Sequence, residues 1–383
     1  MQLKPNSTQA QSWINQARQA ASGGNAQPWH IEFEEDDQQI AFSLAIDKQY
    51  QADPSAMDIQ GIASVISLGC LAHYLICVAE EHGFQLEIKT FQVQPLFWDS
   101  SAQLLFVKNS KIPQLEQFQN ESLLVHYTDR TPYQKKVVPT EVKNSIAAIA
   151  AQYSSLNLIE VQPSHPIFQS GLRSLEKIRW INKAFLASTL KEIIFKNDHQ
   201  HQVGIPANQL GIPKIDQILL RLMRKSLGFW LFLLRLGFAQ ISTYKGTINF
   251  FKSSAEIYFL QTHFFNFENA FELGLCFQQI WLKVNSAQLA FQPNGNSLIA
   301  LGYWTTPEKY NFSKHEIALA QQTTQSYWDE LKIDLKKPVL AFRIGWPERR
   351  SEKTPRKPLN GKLRQQLIQA IKGNKKNSSL IGP

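Results

Sequence analysis

Between Ile59 and Ala79 the chain carries no Asp, Glu, Lys or Arg. A stretch of 21 such residues has two destinations: a bilayer, or the centre of a protein large enough to surround it. Gln60, Ser64, Ser67 and His73 interrupt the apolar run, while Gly61 and Gly69 leave room for a close neighbour, so the expected outcome is a buried helix. The chain is long enough to bury it: 383 residues, 43% hydrophobic and 19% charged, correspond to two or three packing units or to one unit built twice. This composition excludes a disordered or collagen-like chain.

The apolar helix has an echo. LGCLAHYLICVA at 68–79 and LGLCFQQIWLKV at 273–284 share a leading Leu-Gly and apolar residues at matching offsets, with their glycines 205 residues apart. Two amphipathic helices resemble each other by chance, or a fold has been duplicated; both readings stay open at this point.

Around these helices the pattern is mixed. Residues 8–21 have helical spacing and end at Ser-Gly-Gly-Asn; WHIEFEED and IAFSLAID alternate as a hairpin after Pro28, and LEIKTFQV and SAQLLFVKN read as strands. A second unit is expected to open near residue 121, with a helix in VPTEVKNSIAAIAAQY, another over Asn269–Asn285, a strand in SLIALGYW and a buried strand in KPVLAFRIGW. The fold class read from this is α+β, with units at 1–118 and 119–383.

A segment at roughly 166–250 fits neither unit. It is apolar, punctuated by Arg221, Arg224, Lys225 and Arg235, and has no acid between Asp216 and Glu256. Such a basic amphipathic stretch lies on a membrane or caps a protein with its greasy face inward; the cap is the expectation, and membrane contact is not expected.

The net charge of +9 sits almost wholly in the last segment, which carries ten Lys or Arg and two Glu from Trp346 onward. Its readings are a nucleic-acid or anionic-membrane contact, a phosphate site, or a solvated end. Lys372, Lys375 and Lys376 lie among Gly, Asn and Ser and fit a solvated end, whereas Arg356 and Lys357 sit in TPRKPL, where proline-bounded backbone holds a cation in place. Basic residues are not interleaved with aromatics as nucleic-acid binding requires, so no nucleic-acid partner is expected. Cys70, Cys77 and Cys276 are too few for a disulfide or metal framework and read as core residues; the histidines show no metal-ligand spacing. The N-terminus has no apolar run after a basic start, and a reducing, cytoplasmic location is expected.

The chemistry concentrates in ARQAASGGNAQPWH at 17–30. Ser22, Gly23 and Gly24 expose backbone amides without side-chain obstruction, and Asn25 and Gln27 add amides that donate and accept, a combination suited to the polar edge of a flat heterocycle. With Asn-x-Gln-Pro-Trp attached, this stretch resembles the flavin-contacting loop of the nitroreductase family. HYTDRTPYQKKVVP at 126–139 is similar to that family's phosphate-binding opening, and FRIGWPE and TPRKPL to its final strand and the basic residue that closes on the FMN phosphate.

The order of these motifs is reversed relative to an ordinary nitroreductase, so each half lacks what the other has. The arrangement resembles the Acg-like branch of the family, a single chain folded as an internal pseudo-dimer with a lid. The resemblance implies one noncovalent FMN, bound by Ser22, Gly23, Gly24, Asn25 and Gln27 from the first half and by Thr128, Arg130, Arg356 and Lys357 from the second. Trp29 completes the motif as a packing anchor, and His126 departs from the usual Arg.

The activity implied is hydride transfer from NAD(P)H through FMN to a small nitroaromatic or quinone, with no catalytic side chain and no metal. The alternative is an FMN-sequestering protein with little turnover. Internal pairing removes the need for a second subunit, so the chain is expected as a monomer or a higher assembly of that unit.

Overall fold

The computed structural model describes residues 8–92, 100–109, 128–195, 202–349, 352 and 354–378. Thr8 caps helix α1 (Gln9–Ala17) by accepting a hydrogen bond from the Gln11 amide. The expected hairpin follows as β1 (Trp29–Glu35) and β2 (Gln39–Ile46), paired in register from Trp29–Ile46 to Glu35–Ile40. After a short α2 (Lys48–Ala52) comes the long apolar α3 (Ile62–Glu81), then β3 (Phe84–Gln92) and β4 (Ser101–Lys108). These strands form an antiparallel sheet in the order β1-β2-β4-β3.

The same plan recurs. Beyond β5 (Tyr133–Gln134) and α4 (Thr140–Ala150), β6 (Leu156–Val161) starts a second sheet. Between it and its partner the chain runs through α5 (Pro166–Ile181), α6 (Lys183–Lys191), β7 (Ile193–Ile194), β8 (Ile205–Pro206), α7 (Lys214–Lys225), α8 (Leu227–Arg235) and α9 (Phe238–Lys252). Then come β9 (Glu256–Thr262), the long α10 (Phe267–Ser286) and β10 (Ala290–Asn294), followed by α11 (Ser297–Thr305), α12 (Pro307–Tyr310), α13 (Lys314–Ser326) and β11 (Val339–Pro347). The sheet order is β6-β9-β11-β10, again antiparallel, with the long helix between the second and third strands. Each unit thus reads helix, strand, strand, long helix, strand, strand, with the same permutation of strands.

The two long helices meet at the glycines of the echo. A Cβ on Gly69 would overlap the Phe271 carbonyl oxygen and lie 2.9 Å from the Gly274 Cα; one on Gly274 would overlap the Ile66 carbonyl oxygen. Beside them the Cys70 thiol donates to the Gly274 carbonyl at 3.3 Å. The segment 59–81 is long and apolar enough to cross a membrane, but 78% of its most apolar window is buried inside the protein. It owes its lack of charge to being enclosed by sheet one on one side and by α10 on the other.

Three expectations need correction. SLIALGYW is not a strand but α11, buried from Ser297 to Gly302; an apolar run closed in on every side carries no period that separates strand from helix. The basic end is not a solvated tail throughout. It adds β12 (Lys362–Leu363) in parallel to β1 and then α14 (Leu367–Ser378), whose Leu367, Ile368 and Ile371 pack on Ala41, Ile88 and Leu105 of sheet one. Lys372 there donates to Gln39 Oε1 at 2.7 Å. The helical insert between β6 and β9 buries only part of its apolar surface: Leu220, Met223 and Trp230 are inside, while Ile215, Ile218, Leu222, Leu231 and Phe232 are exposed. The boundary near residue 121, and His126, lie outside the described residues.

Candidate functional site

A cavity of about 400 Å³ opens where the first unit, the helical insert and the second unit converge, within the range of small-molecule and cofactor sites. Ser22, Gly23, Gly24 and Asn25 border it from the first unit, and Thr128, Arg130 and Arg356 from the remainder of the chain. Seven of the nine sequence-predicted positions therefore share one enclosure. Gln27 and Lys357 are not among its lining residues.

The loop at 21–27 is held in an unusual backbone path, with positive φ at Gly24 (57°), Asn25 (56°) and Gln27 (50°). A side chain at 24 would be strained, since φ is positive and a Cβ would come within 2.6 Å of the Glu192 carboxylate. The loop's incoming amide at Ala21 donates to Gln278 Oε1 on α10 at 2.9 Å, which ties the first unit to the second. The Ser22 hydroxyl accepts from the Gln27 amide at 3.1 Å. The amides of Gly23 and Gly24 find no acceptor among the described residues, so they remain available to a guest in the cavity.

Asn25 and Gln27 do not act as expected from the sequence. The Asn25 amide group donates to the carbonyls of Gly204 (2.8 Å) and Pro355 (3.0 Å), and its oxygen accepts from Arg356 Nη1. Gln27 is fully buried; its Nε2 donates to Gln202 O (2.8 Å) and Asn25 O (3.3 Å), and its Oε1 accepts from the Lys357 amide (2.9 Å). Both side chains join the loop to the insert and to the C-terminal segment, and the two N–H donors of each are spent within the protein. Lys357 contributes its backbone rather than its ammonium. Trp29 is buried, with its indole donating to Ser67 O at 3.2 Å, as a packing anchor.

The cationic side of the cavity is unbalanced. Arg356 Nη2 donates to Gln19 O at 3.1 Å, whereas its Nε is buried without a partner among the described residues. Burial lowers its pKa to about 10. Arg130 makes one long hydrogen bond, from Nη1 to Gln209 O at 3.4 Å, and burial with the nearby charge of Arg179 lowers its pKa to about 10. Neither guanidinium lies within ion-pair distance of a carboxylate among the described residues. The other lining cations are matched: Arg179 pairs with Glu176 (3.6 Å) and Lys245 with Asp216 (2.7 Å).

Two carboxyls on the wall, one buried and one half-buried, are hydrogen-bonded within the protein. Burial raises the pKa of Asp58, which accepts from the Ser64 hydroxyl and amide, and that of Glu192, which accepts from the Ser55 hydroxyl. Burial thus disfavours the charged form of both carboxyls, while Arg130 and Arg356 stand at the same cavity without an ion-pair partner among the described residues. An anion with several acceptor oxygens, such as a phosphate ester, is the chemistry a guanidinium at such a cavity can pair with.

Asp58, Arg179 and Glu192 were not singled out in the sequence. They stand on separate elements and meet only through the fold, so no local spacing announces them. Cys70, Cys77 and Cys276 are free and buried, and burial pushes their thiols up. No cluster of three or more metal-ligating side chains occurs among the described residues. No family model matches the chain, and no curated protein matches it.

Proposed function

We propose that this chain is an FMN-dependent oxidoreductase of the nitroreductase type, folded as an internal pseudo-dimer that binds one FMN noncovalently. The observation that carries the reading is the convergence of two guanidiniums outside any ion pair among the described residues, Arg130 and Arg356, with the unpaired amides of Gly23 and Gly24 at one cavity. The repeated strand order and the glycine contact between α3 and α10 support a fused pair of half-sites. The resemblance in the loop at 22–29 and in the segment at 126–139 supports the flavin.

The residues fit that group. Arg130 and Arg356 would hold the phosphate, with the Thr128 hydroxyl beside them, and the Gly23 and Gly24 amides would meet the polar edge of the ring. When bound, FMN supplies the capacity to take hydride from NAD(P)H and pass reducing equivalents to a nitroaromatic or quinone. The chain's part is to position and shield. The Gly23 and Gly24 amides would stabilise negative charge on the ring, and the insert helices that line the cavity would exclude water.

One observation favours a second reading. The insert is tied to the loop by the Asn25–Gly204 and Gln27–Gln202 hydrogen bonds, a closed arrangement that suits sequestration of FMN with little turnover. Purification decides both questions. The flavin reading expects a yellow protein, or one that takes up added FMN, with one flavin released per chain; a colourless protein that takes up none overturns it. Rapid mixing with NADH and NADPH bleaches the flavin of a reductase and leaves that of a storage protein oxidised.

A further inference from the structure

Helix α7 presents Ile215, Ile218 and Leu222 to solvent at helical spacing, with exposures of 60%, 55% and 44%. At 3.6 residues per turn these three form one stripe, and Lys214, Arg221 and Lys225 all fall along the same flank of it. The next two helices continue the pattern. Leu231 and Phe232 of α8 and Ile241 and Tyr244 of α9 are about half exposed, as is Leu236 between the helices. Nine of the fifteen large hydrophobic residues exposed among those described lie between Val203 and Tyr244, most of them on three consecutive helices that touch one another in turn.

We infer that the α7–α9 face of the insert docks on an anionic lipid bilayer, with the cavity mouth turned towards the membrane. Charge selects this occupant. Residues 214–252 carry seven Lys or Arg against one Asp, and that Asp is engaged by Lys245 at 2.7 Å. An apolar stripe with a cationic flank matches the boundary between acyl chains and anionic headgroups. A second copy of the chain would bring the same positive field against itself.

The relation to the cavity is direct. Ile241 lines the cavity and is also 52% exposed, so the patch reaches its rim. The Lys245–Asp216 bridge joins α9 to α7 at that place. A mouth opening onto lipid admits a lipophilic acceptor in preference to a water-soluble one. That last clause rests on the flavin reading; the docking does not.

The test is sedimentation of the full chain with vesicles of phosphatidylcholine alone or mixed with phosphatidylglycerol. Pelleting is expected only with the mixed vesicles, and to fall as salt is raised. Arg221→Gln with Lys225→Gln weakens it roughly 30-fold at low salt, by one surface cation's attraction for each charge removed. Leu231→Asp with Phe232→Asp, at positions already in water, abolishes it while circular dichroism stays unchanged. Equal binding to both vesicle types, no binding, or binding indifferent to the charge variant overturns the inference. So does a dimer by light scattering that Leu231→Asp with Phe232→Asp dissolves. Vesicle binding is read without FMN or turnover, so failure of the flavin reading leaves this result interpretable.

Discussion

Gly69 and Gly274 face each other across α3 and α10 with no side chain between them, and each occupies the space a Cβ of the other would need. The obstacles are backbone atoms of the facing helix, which cannot rotate aside as a side chain does. Gly69→Ala or Gly274→Ala should therefore force the helices apart and cost about 3 kcal/mol or more in urea unfolding, at the upper end of overpacking effects. Gly228→Ala is the control. Its Cβ would approach nothing closer than Ser226 Oγ at 3.8 Å, and stability should change by about 1 kcal/mol at most. Equal effects at all three sites would show that the close approach is not what these glycines are for.

Arg130 is held by one long hydrogen bond and repelled by Arg179. Arg130→Ala should leave the ligand-free protein about as stable as the parent, since it removes a partly buried charge that has no carboxylate within ion-pair distance among the described residues. The same change should weaken FMN binding roughly 10- to 100-fold, the scale of a charged hydrogen bond. Arg130→Lys should fall between, keeping charge but losing the planar fork. Gln27→Ala should behave in the opposite manner, lowering stability with little direct effect on the ligand, because Gln27 bonds only to the protein. Fluorescence titration with FMN and thermal melts separate the two classes of variant, and a loss of stability in Arg130→Ala without loss of binding would refute the assignment.

Much of this was legible before the fold. The hairpin at 29–46 and strand β11 carry alternation or a β-branched apolar run, and α3 carries an uncharged run too long for a strand. The C-terminal helix was hidden because Leu367, Ile368 and Ile371 stand in a polar, lysine-rich context whose average reads as a tail. At the site, motif spacing pointed to Ser22, Gly23, Gly24, Thr128, Arg130 and Arg356, but it gave no direction to a side chain. Asn25 and Gln27, both at positive φ, bond to the insert and to the C-terminal segment, partners no spacing encodes. Glu192 entered the site because β7 and β8 pair and bring its helix end beside Gly24.

Glu81 ends α3 with both carboxylate oxygens buried and unpartnered among the described residues, and burial raises its pKa to about 7. A carboxyl raised from 4.5 to about 7 binds more protons in the folded state throughout that interval. Its favourable contribution is complete below the unfolded value and is lost as pH rises through the folded one. The parent protein should therefore lose stability between roughly pH 4.5 and pH 7 relative to Glu81→Gln. Melting temperatures should coincide at the acidic end and separate above neutrality, with the variant higher. A constant gap across the range would mean that Glu81 does not titrate as its burial requires.

Asn25 links three segments that are far apart in the chain, through Gly204, Pro355 and Arg356. Asn25→Asp keeps an acceptor for Arg356 but sets carboxylate oxygens against two carbonyls, and Asn25→Ala leaves those carbonyls and Arg356 Nη1 without their partner. Each orphaned group costs about 1–3 kcal/mol if it stays buried, so the cheaper response is for the segments to open and rehydrate. Hydrogen exchange should therefore quicken at Gly204, whose amide donates to Asn25 O at 3.2 Å, and at neighbouring Ile205, more than in β9 or β11. If the insert closes on FMN, release should speed by about tenfold or more in both variants. Unchanged exchange at Gly204 in Asn25→Ala would mean that the insert is held by its own packing, and that this asparagine does not fasten it.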